Sequence, residues 1–281
     1  METAFAELPL ALFTTLAPMG AGAFIALAVA LCAAQPEEGQ ARRLDKLSLL
    51  PFLVSCVGFV AAAAHTANAM NGVYAFTGLG TSPLTNEIAV GVVFMVVALI
   101  YVIMGLAGKL GAKRKPFAIV TAVLGVVFAL FVGMAYWVST VPTWNTILVP
   151  LEILGFALVT GPAVYGLMEG GNPLSGASKA LSVLTIIGAV LAVVTVAAHL
   201  AMTAGMQNPV ASGATIVSTV LPYAVCGLVL VVIAAVLLVR GFAKGMTRGL
   251  AGGAAACAAV GVFLARLSFY AMYLSIGVTL M

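Results

Sequence analysis

Few side chains in this sequence can do acid–base chemistry. The 281 residues include only two histidines and eight acids. His65 closes an apolar run, Gly58-Phe59-Val60-Ala61-Ala62-Ala63-Ala64-His65, and a Gly- and Asn-containing loop follows. Glu87 then opens the next apolar run, within Leu84-Thr85-Asn86-Glu87-Ile88-Ala89. A carboxylate in a partly desolvated pocket is suited to accept a proton, and an imidazole beside it can hydrogen-bond a second group and relay its proton. The spacing predicts both groups at one end of adjacent helices, where they form the candidate site. Each also has a plain structural reading. Glu87 follows Thr85-Asn86 and fits a first-turn acid favoured by the helix dipole, and His65 fits an interfacial residue reaching for water.

Positioning such groups falls to membrane spans. The composition is 63% hydrophobic and 7% charged, against roughly 25% charged in soluble domains. Mean hydropathy is +1.21. These values indicate an integral membrane protein and exclude a nucleic-acid-binding module. The 30 glycines suit close helix packing in lipid. Cys32, Cys56, Cys226 and Cys257 stand singly in apolar runs with no CxxC and no Cys/His cluster. No haem, iron–sulfur cluster, structural zinc or other metal is therefore expected in this protein.

Apolar stretches long enough to span a bilayer, roughly 20 residues each, are expected at about 8–34, 48–69, 86–108, 116–139, 146–168, 179–203, 215–240 and 249–278. The expected fold is all-α, a single bundle of eight transmembrane helices over residues 1–281 with no soluble domain. The first span has only Glu2 and Glu7 before it and is too long for a signal-peptide core, so it is read as an uncleaved helix. Arg42, Arg43, Lys46, Lys109, Lys113, Arg114, Lys115, Lys179, Arg240, Lys244 and Arg248 all fall in odd-numbered loops. The positive-inside rule places those loops in the cytoplasm and both termini outside.

The remaining basic residue, Arg266, lies 18 positions beyond Arg248 (266 − 248). At about 1.5 Å per residue it reaches the outer half of the last span. A charge at that depth needs protein or water around it and an acid to pair with, and from there it could orient Glu87. His65 and His199 come late in outward-running spans, and Glu87 and Glu152 come early in inward-running ones. The scarce titratable groups thus converge on one half of the bundle. Glu152 follows Pro150 and also fits a helix-start acid. Tyr136-Trp137 and Trp144 fit an interfacial aromatic belt.

With these pieces in order, the sequence resembles the membrane-anchor subunits of the anaerobic dimethyl sulfoxide reductase family. The resemblance rests on Glu7-Leu8-Pro9-Leu10, Phe13-Thr14, His65, Leu84-Thr85-Asn86-Glu87-Ile88-Ala89, Thr140-Val141-Pro142-Thr143-Trp144, Gly161-Pro162, Arg266 and Phe269-Tyr270. It implies an eight-helix inner-membrane protein that oxidises menaquinol from the membrane quinone pool. It also implies two partners on the outer face, an iron–sulfur electron-transfer subunit and a molybdopterin catalytic subunit, with molybdopterin and clusters held there. His65 and Glu87 occupy the positions implicated in quinol oxidation, and Arg266 joins them as a quinol-site residue. Where the family often has Leu-Gly-x-Pro and an arginine after the histidine, this sequence has Thr66-Ala67-Asn68-Ala69-Met70.

Three other readings compete. A polysulfide-reductase-type quinone anchor shares the eight-helix plan. A b-type cytochrome anchor needs histidines facing across helices, for which only His65 and His199 exist. A transporter is expected to show broken helices and midplane charges, and charged residues are absent from the midplane positions.

Overall fold

The computed structural model describes residues 2–65, 76–171, 174, 176–209 and 211–276. Among these the secondary structure is helical: α1 (Glu2–Ala6), α2 (Leu8–Ala33), α3 (Glu38–Leu47), α4 (Leu49–His65), α5 (Pro83–Leu106), α6 (Arg114–Met134), α7 (Leu148–Glu169), α8 (Ser178–Ala204), α9 (Gly213–Lys244) and α10 (Arg248–Ala271). Eight helical stretches are long and apolar enough to cross a membrane: α2, α3 with α4, and each helix from α5 to α10. The all-α, eight-span expectation holds.

Local chemistry shifts some boundaries. The second stretch begins at Glu38 rather than 48, because α3 is a polar, amphipathic helix continued by α4 after a break at Ser48. Its α3 segment starts with a capping box in which the Glu37 side chain accepts from the backbone of Gln40, whose side chain reaches back. Residues 66–69 of the expected second span lie outside the described residues. The third span starts at Pro83 rather than 86, since the Ser82 side chain accepts from Thr85 N and Pro83 is pre-set for a first turn. The last helix ends at Ala271 rather than 278.

The centre is α2 packed against α7, both buried on nearly every side. Gly22 of α2 and Gly161 of α7 set that contact: a Cβ on either would overlap the other helix's backbone. Small residues let the backbones close in, as expected where lipid offers no hydrophobic drive to associate. Around this pair, α4 and α6 pack on α2, α8 packs on α7, and α9 packs on α8 and α10. The helix α4 has little direct packing with α5, which instead leans on α6. That separation opens a lateral cavity.

The basic loops gather at the other end. Arg114 Nε donates to Asp45 Oδ2 at 2.7 Å, and its Nη1 and Nη2 donate to Glu38 at 3.0 and 3.1 Å. Tyr101 Oη donates to Asp45 Oδ1 at 3.1 Å, and Arg43 caps α7 through Glu169 O at 3.0 Å. Both described ends of the polypeptide sit at the opposite end: α1 packs on α10, and Ile276 N donates to Thr140 O at 3.0 Å.

Candidate functional site

At the end carrying both termini, a cavity of about 540 Å³ lies among α2, α4, α5 and the segment just past α6. Its walls are apolar, with Leu10 and Phe13 from α2, Phe59 and Ala62 from α4, and Ile88 and Val92 from α5. Three groups supply polarity: His65, Glu87 and Tyr136. Phe59 stacks on Phe128 at 5.5 Å and meets Phe13 edge-on at 5.4 Å, so the inner wall is built of aromatic rings. Offset and edge-on arrangements of this kind leave flat ring faces that suit a planar aromatic guest. Gly91 makes room for this stack, because a Cβ there would stand 3.0 Å from Phe59 Cζ.

Two of the three expected site residues meet in this cavity. Glu87 is 5% exposed, and its Oε1 is buried without a hydrogen-bond partner. A buried acceptor without a partner costs free energy, and such groups often mark a place where a ligand or water completes the bonding. His65 stands at the cavity mouth with its Nε2 3.4 Å from Glu7 Oε2, an ion-pair distance without hydrogen-bond alignment. Glu7, in the link between α1 and α2, is the partner that residue patterns do not single out. Its only signal is its place in the Glu7-Leu8-Pro9-Leu10 segment.

Arg266 stands behind the cavity wall and is completely buried. Its guanidinium lies over the Phe269 ring at 3.9 Å and near Tyr270 and Tyr136 at 5.2 and 5.5 Å. Its Nε donates to Thr14 Oγ1 at 3.0 Å, which in turn donates to Leu10 O at 2.9 Å. The acid it pairs with is Glu152, with Oε2 3.9 Å from Nη1. The reason is packing: α10 lies against α7 and α2, whereas α5 is held off by α6. Tyr136 bonds the Tyr270 hydroxyl. Nη1 and Nη2 make no hydrogen bond.

Glu152 and His199 close the cluster. His199 Nδ1 lies 2.7 Å from Glu152 Oε1, and His199 Nε2 lies 2.7 Å from Thr143 O. Thr143 Oγ1 donates to Met272 O at 2.6 Å, tying the loop before α7 to the end of α10. The Trp144 indole stacks on Phe269 at 5.3 Å and donates to Phe269 O at 3.2 Å. Tyr136 thus stands near the buried arginine, and Trp144 backs Phe269, the ring over which the guanidinium lies. Among the described residues no group of three or more His, Cys, Asp or Glu could hold a metal ion.

Fold and site together define a polytopic helical membrane protein with a lateral, aromatic-walled cavity that carries a buried carboxyl and a histidine. The sequence matches the family described as DMSO reductase anchor subunit (DmsC) over residues 1–272, and the protein belongs to that family. Among curated proteins it is similar to the C subunit of the anaerobic dimethyl sulfoxide reductase of Escherichia coli K12. Identity there is 32% over 164 residues, 58% of this sequence and 57% of the relative. It is similar also to the corresponding C subunit of Haemophilus influenzae, with 28% identity over 149 residues, 53% of each protein. A third relative, the anaerobic dimethyl sulfoxide reductase subunit YnfH of Escherichia coli K12, is 29% identical over 163 residues, 58% of this sequence and 57% of its own. The matches thus span a little over half the length of these relatives.

Proposed function

We propose that this protein anchors a dimethyl sulfoxide reductase-type complex in the inner membrane and oxidises menaquinol in the cavity beside Glu87. One observation carries the reading: a buried carboxyl with an unpartnered oxygen on an aromatic-walled cavity that a histidine also lines. Oxidation of a quinol to a quinone releases two protons and two electrons. Glu87 accepts one proton from the first hydroxyl. His65 accepts a hydrogen bond from the second hydroxyl and takes its proton toward Glu7 and the water beyond. Exposed apolar residues such as Leu84 and Val92 on the cavity rim give a lipid-soluble donor its way in.

The two electrons pass to an iron–sulfur partner subunit docked over this end, around 71–81 and 140–145, and from there to a molybdopterin catalytic subunit. Of the first docking loop, 71–75 lie outside the described residues. The basic end faces the cytoplasm and both termini face outward, so protons leave on the outer side. A haem-bearing alternative fits the site poorly: both ring nitrogens of His199 are engaged, and His65 faces Glu7. A polysulfide-reductase-type anchor is disfavoured by the match to the DMSO reductase anchor family.

The test is Glu87→Gln in the assembled complex, comparing menaquinol oxidation with dye-driven reduction of the terminal substrate in the same membranes. The expected outcome is loss of the quinol activity by two or more orders of magnitude with the dye-driven activity kept. Near-normal quinol oxidation would remove Glu87 from the chemistry.

A further inference from the structure

At the basic end, opposite the cavity of Glu87, the seam between α2 and α6 carries a groove that no step above uses. Its apolar part, about 230 Å³, runs between Ile25, Val29 and Cys32 of α2 and Ile119, Val123 and Val126 of α6. Beyond it lies a recess of about 270 Å³, between Gln35 and Pro36 after α2 and Gly111, Arg114 and Lys115 at the start of α6. The two parts share their walls. Steps of three or four residues lead from Val29 through Cys32 to Gln35, and from Val123 through Ile119 to Lys115, so each helix presents one face to both. The groove ends where the helices close on each other, since a Cβ on Gly125 would stand 3.2 Å from Ala21 O.

Its length and chemistry match one leaflet. From Lys115 to Val126 the helix rises about 16 Å, roughly half of the 30 Å hydrocarbon thickness of a bilayer. Ile119 and Val123, at 44% and 56% exposed, face outward along this stretch. The recess above them keeps a surplus of positive charge. Arg114 is spent on Asp45 and Glu38. Lys115 Nζ reaches only Ala34 O, at 3.5 Å, and among the described residues that is its one bond. An ammonium carries three donors, so Lys115 has capacity to spare, and Lys113 adds a second exposed cation beside it. The neighbouring acids are committed elsewhere. The Glu37 side chain accepts from the backbone of Gln40 in the cap of α3, and Glu38 is held by Arg42 and Arg114. Gly111, at φ +47°, turns the loop into the helix, and nothing lies within 4 Å of where its Cβ would stand.

We propose that this groove binds an anionic phospholipid in the leaflet at the basic end, with its phosphate on Lys115 and one acyl chain between α2 and α6. An ammonium binds phosphate as a point charge, and basic residues at a membrane surface draw anionic lipid. A zwitterionic lipid would bring its own cation against Lys113 and Lys115. A free phosphate would leave the apolar part unfilled. The site shares no residue with the cavity of Glu87, so it stands or falls apart from quinol oxidation.

The experiment places the assembled complex in phosphatidylcholine nanodiscs with phosphatidylglycerol that carries a diazirine on one acyl chain, and locates the photolabel by mass spectrometry. Label is expected on peptides covering 25–32 or 119–126, displaced by unlabelled phosphatidylglycerol but not by inorganic phosphate or further phosphatidylcholine. Lys115→Gln should raise the probe concentration for half-maximal labelling roughly fivefold, the share of one cation near an anionic surface. Val123→Trp, which fills the groove from a lipid-facing position, should remove the label. Label that phosphatidylcholine displaces equally well, that inorganic phosphate displaces, or that Lys115→Gln leaves unchanged overturns the proposal. Should Lys115→Gln fail to assemble, Val123→Trp decides: loss of the groove label supports the site, and its retention overturns it.

Discussion

The two ends of this bundle handle most of their buried charge differently. At the basic end Arg114 uses Nε, Nη1 and Nη2 on Asp45 and Glu38, and Tyr101 fills a further site on Asp45. Each charge there closes a contact between helices that are distant in sequence. At the cavity end Glu87 Oε1, Glu7 Oε2 and both η nitrogens of Arg266 are buried without hydrogen bonds. Saturated charge is a fastener, whereas unsaturated buried charge holds binding capacity in reserve. The same eight-span fold thus carries an end fastened by the Arg114 network, although Glu169 Oε2 there is also buried without a hydrogen bond, and an end whose unpartnered groups include a carboxyl oxygen on a cavity.

The sharpest way to break that contrast is at the basic end. Arg114→Ala would leave Asp45, which is 1% exposed, with Tyr101 as its remaining side-chain partner. Stranding one partner of a buried pair costs about 3–5 kcal/mol. The variant is expected to be scarce in membranes and to unfold at a clearly lower temperature in detergent, with quinol and dye-driven activities falling together. An unchanged unfolding midpoint would show that this network is not a fastener.

At the cavity end, His65→Ala is expected to leave assembly intact and to raise the KM for quinol. Loss of one hydrogen bond to the bound donor, about 1.4 kcal/mol, corresponds to roughly tenfold. A drop in protein abundance instead would place His65 among the structural contacts.

The smallest effect is expected from Gly91→Ala. The new methyl would stand 3.0 Å from Phe59 Cζ and 3.1 Å from Phe128 Cε2, so the stack must yield toward the cavity. Overpacking of this kind costs about 1 kcal/mol, and here it should appear as a few-fold loss of quinol affinity with assembly unchanged. Unaltered affinity would show that the aromatic wall does not shape the binding space.

Much of the fold is legible in the sequence because lipid imposes length and apolarity on every span. The eight stretches stand out for that reason, and the clustering of basic residues marks one end. The polarity of residues 38–47 reads as loop and hides a helix that belongs to the basic end. Of the site, the meeting of His65 and Glu87 follows from their places at the ends of adjacent spans. The partner of Arg266 does not. Which of two acids at similar depth lies beside it depends on α10 packing against α7 rather than α5, and no local pattern encodes that choice. Glu7 escapes notice for a related reason: an acid outside a span becomes a site neighbour only when the N-terminal segment folds back over the cavity mouth.

The central claim, that the cavity end is where quinol binds, is tested most directly by photolabelling the assembled complex with an azido-naphthoquinone and locating the attached residues by mass spectrometry. Labels on peptides carrying Phe13, Phe59 to His65, or Leu84 to Val92, competed away by menaquinone, are the expected result. Competable labels confined to the basic end, around Arg43, Arg114 or Lys244, would contradict it.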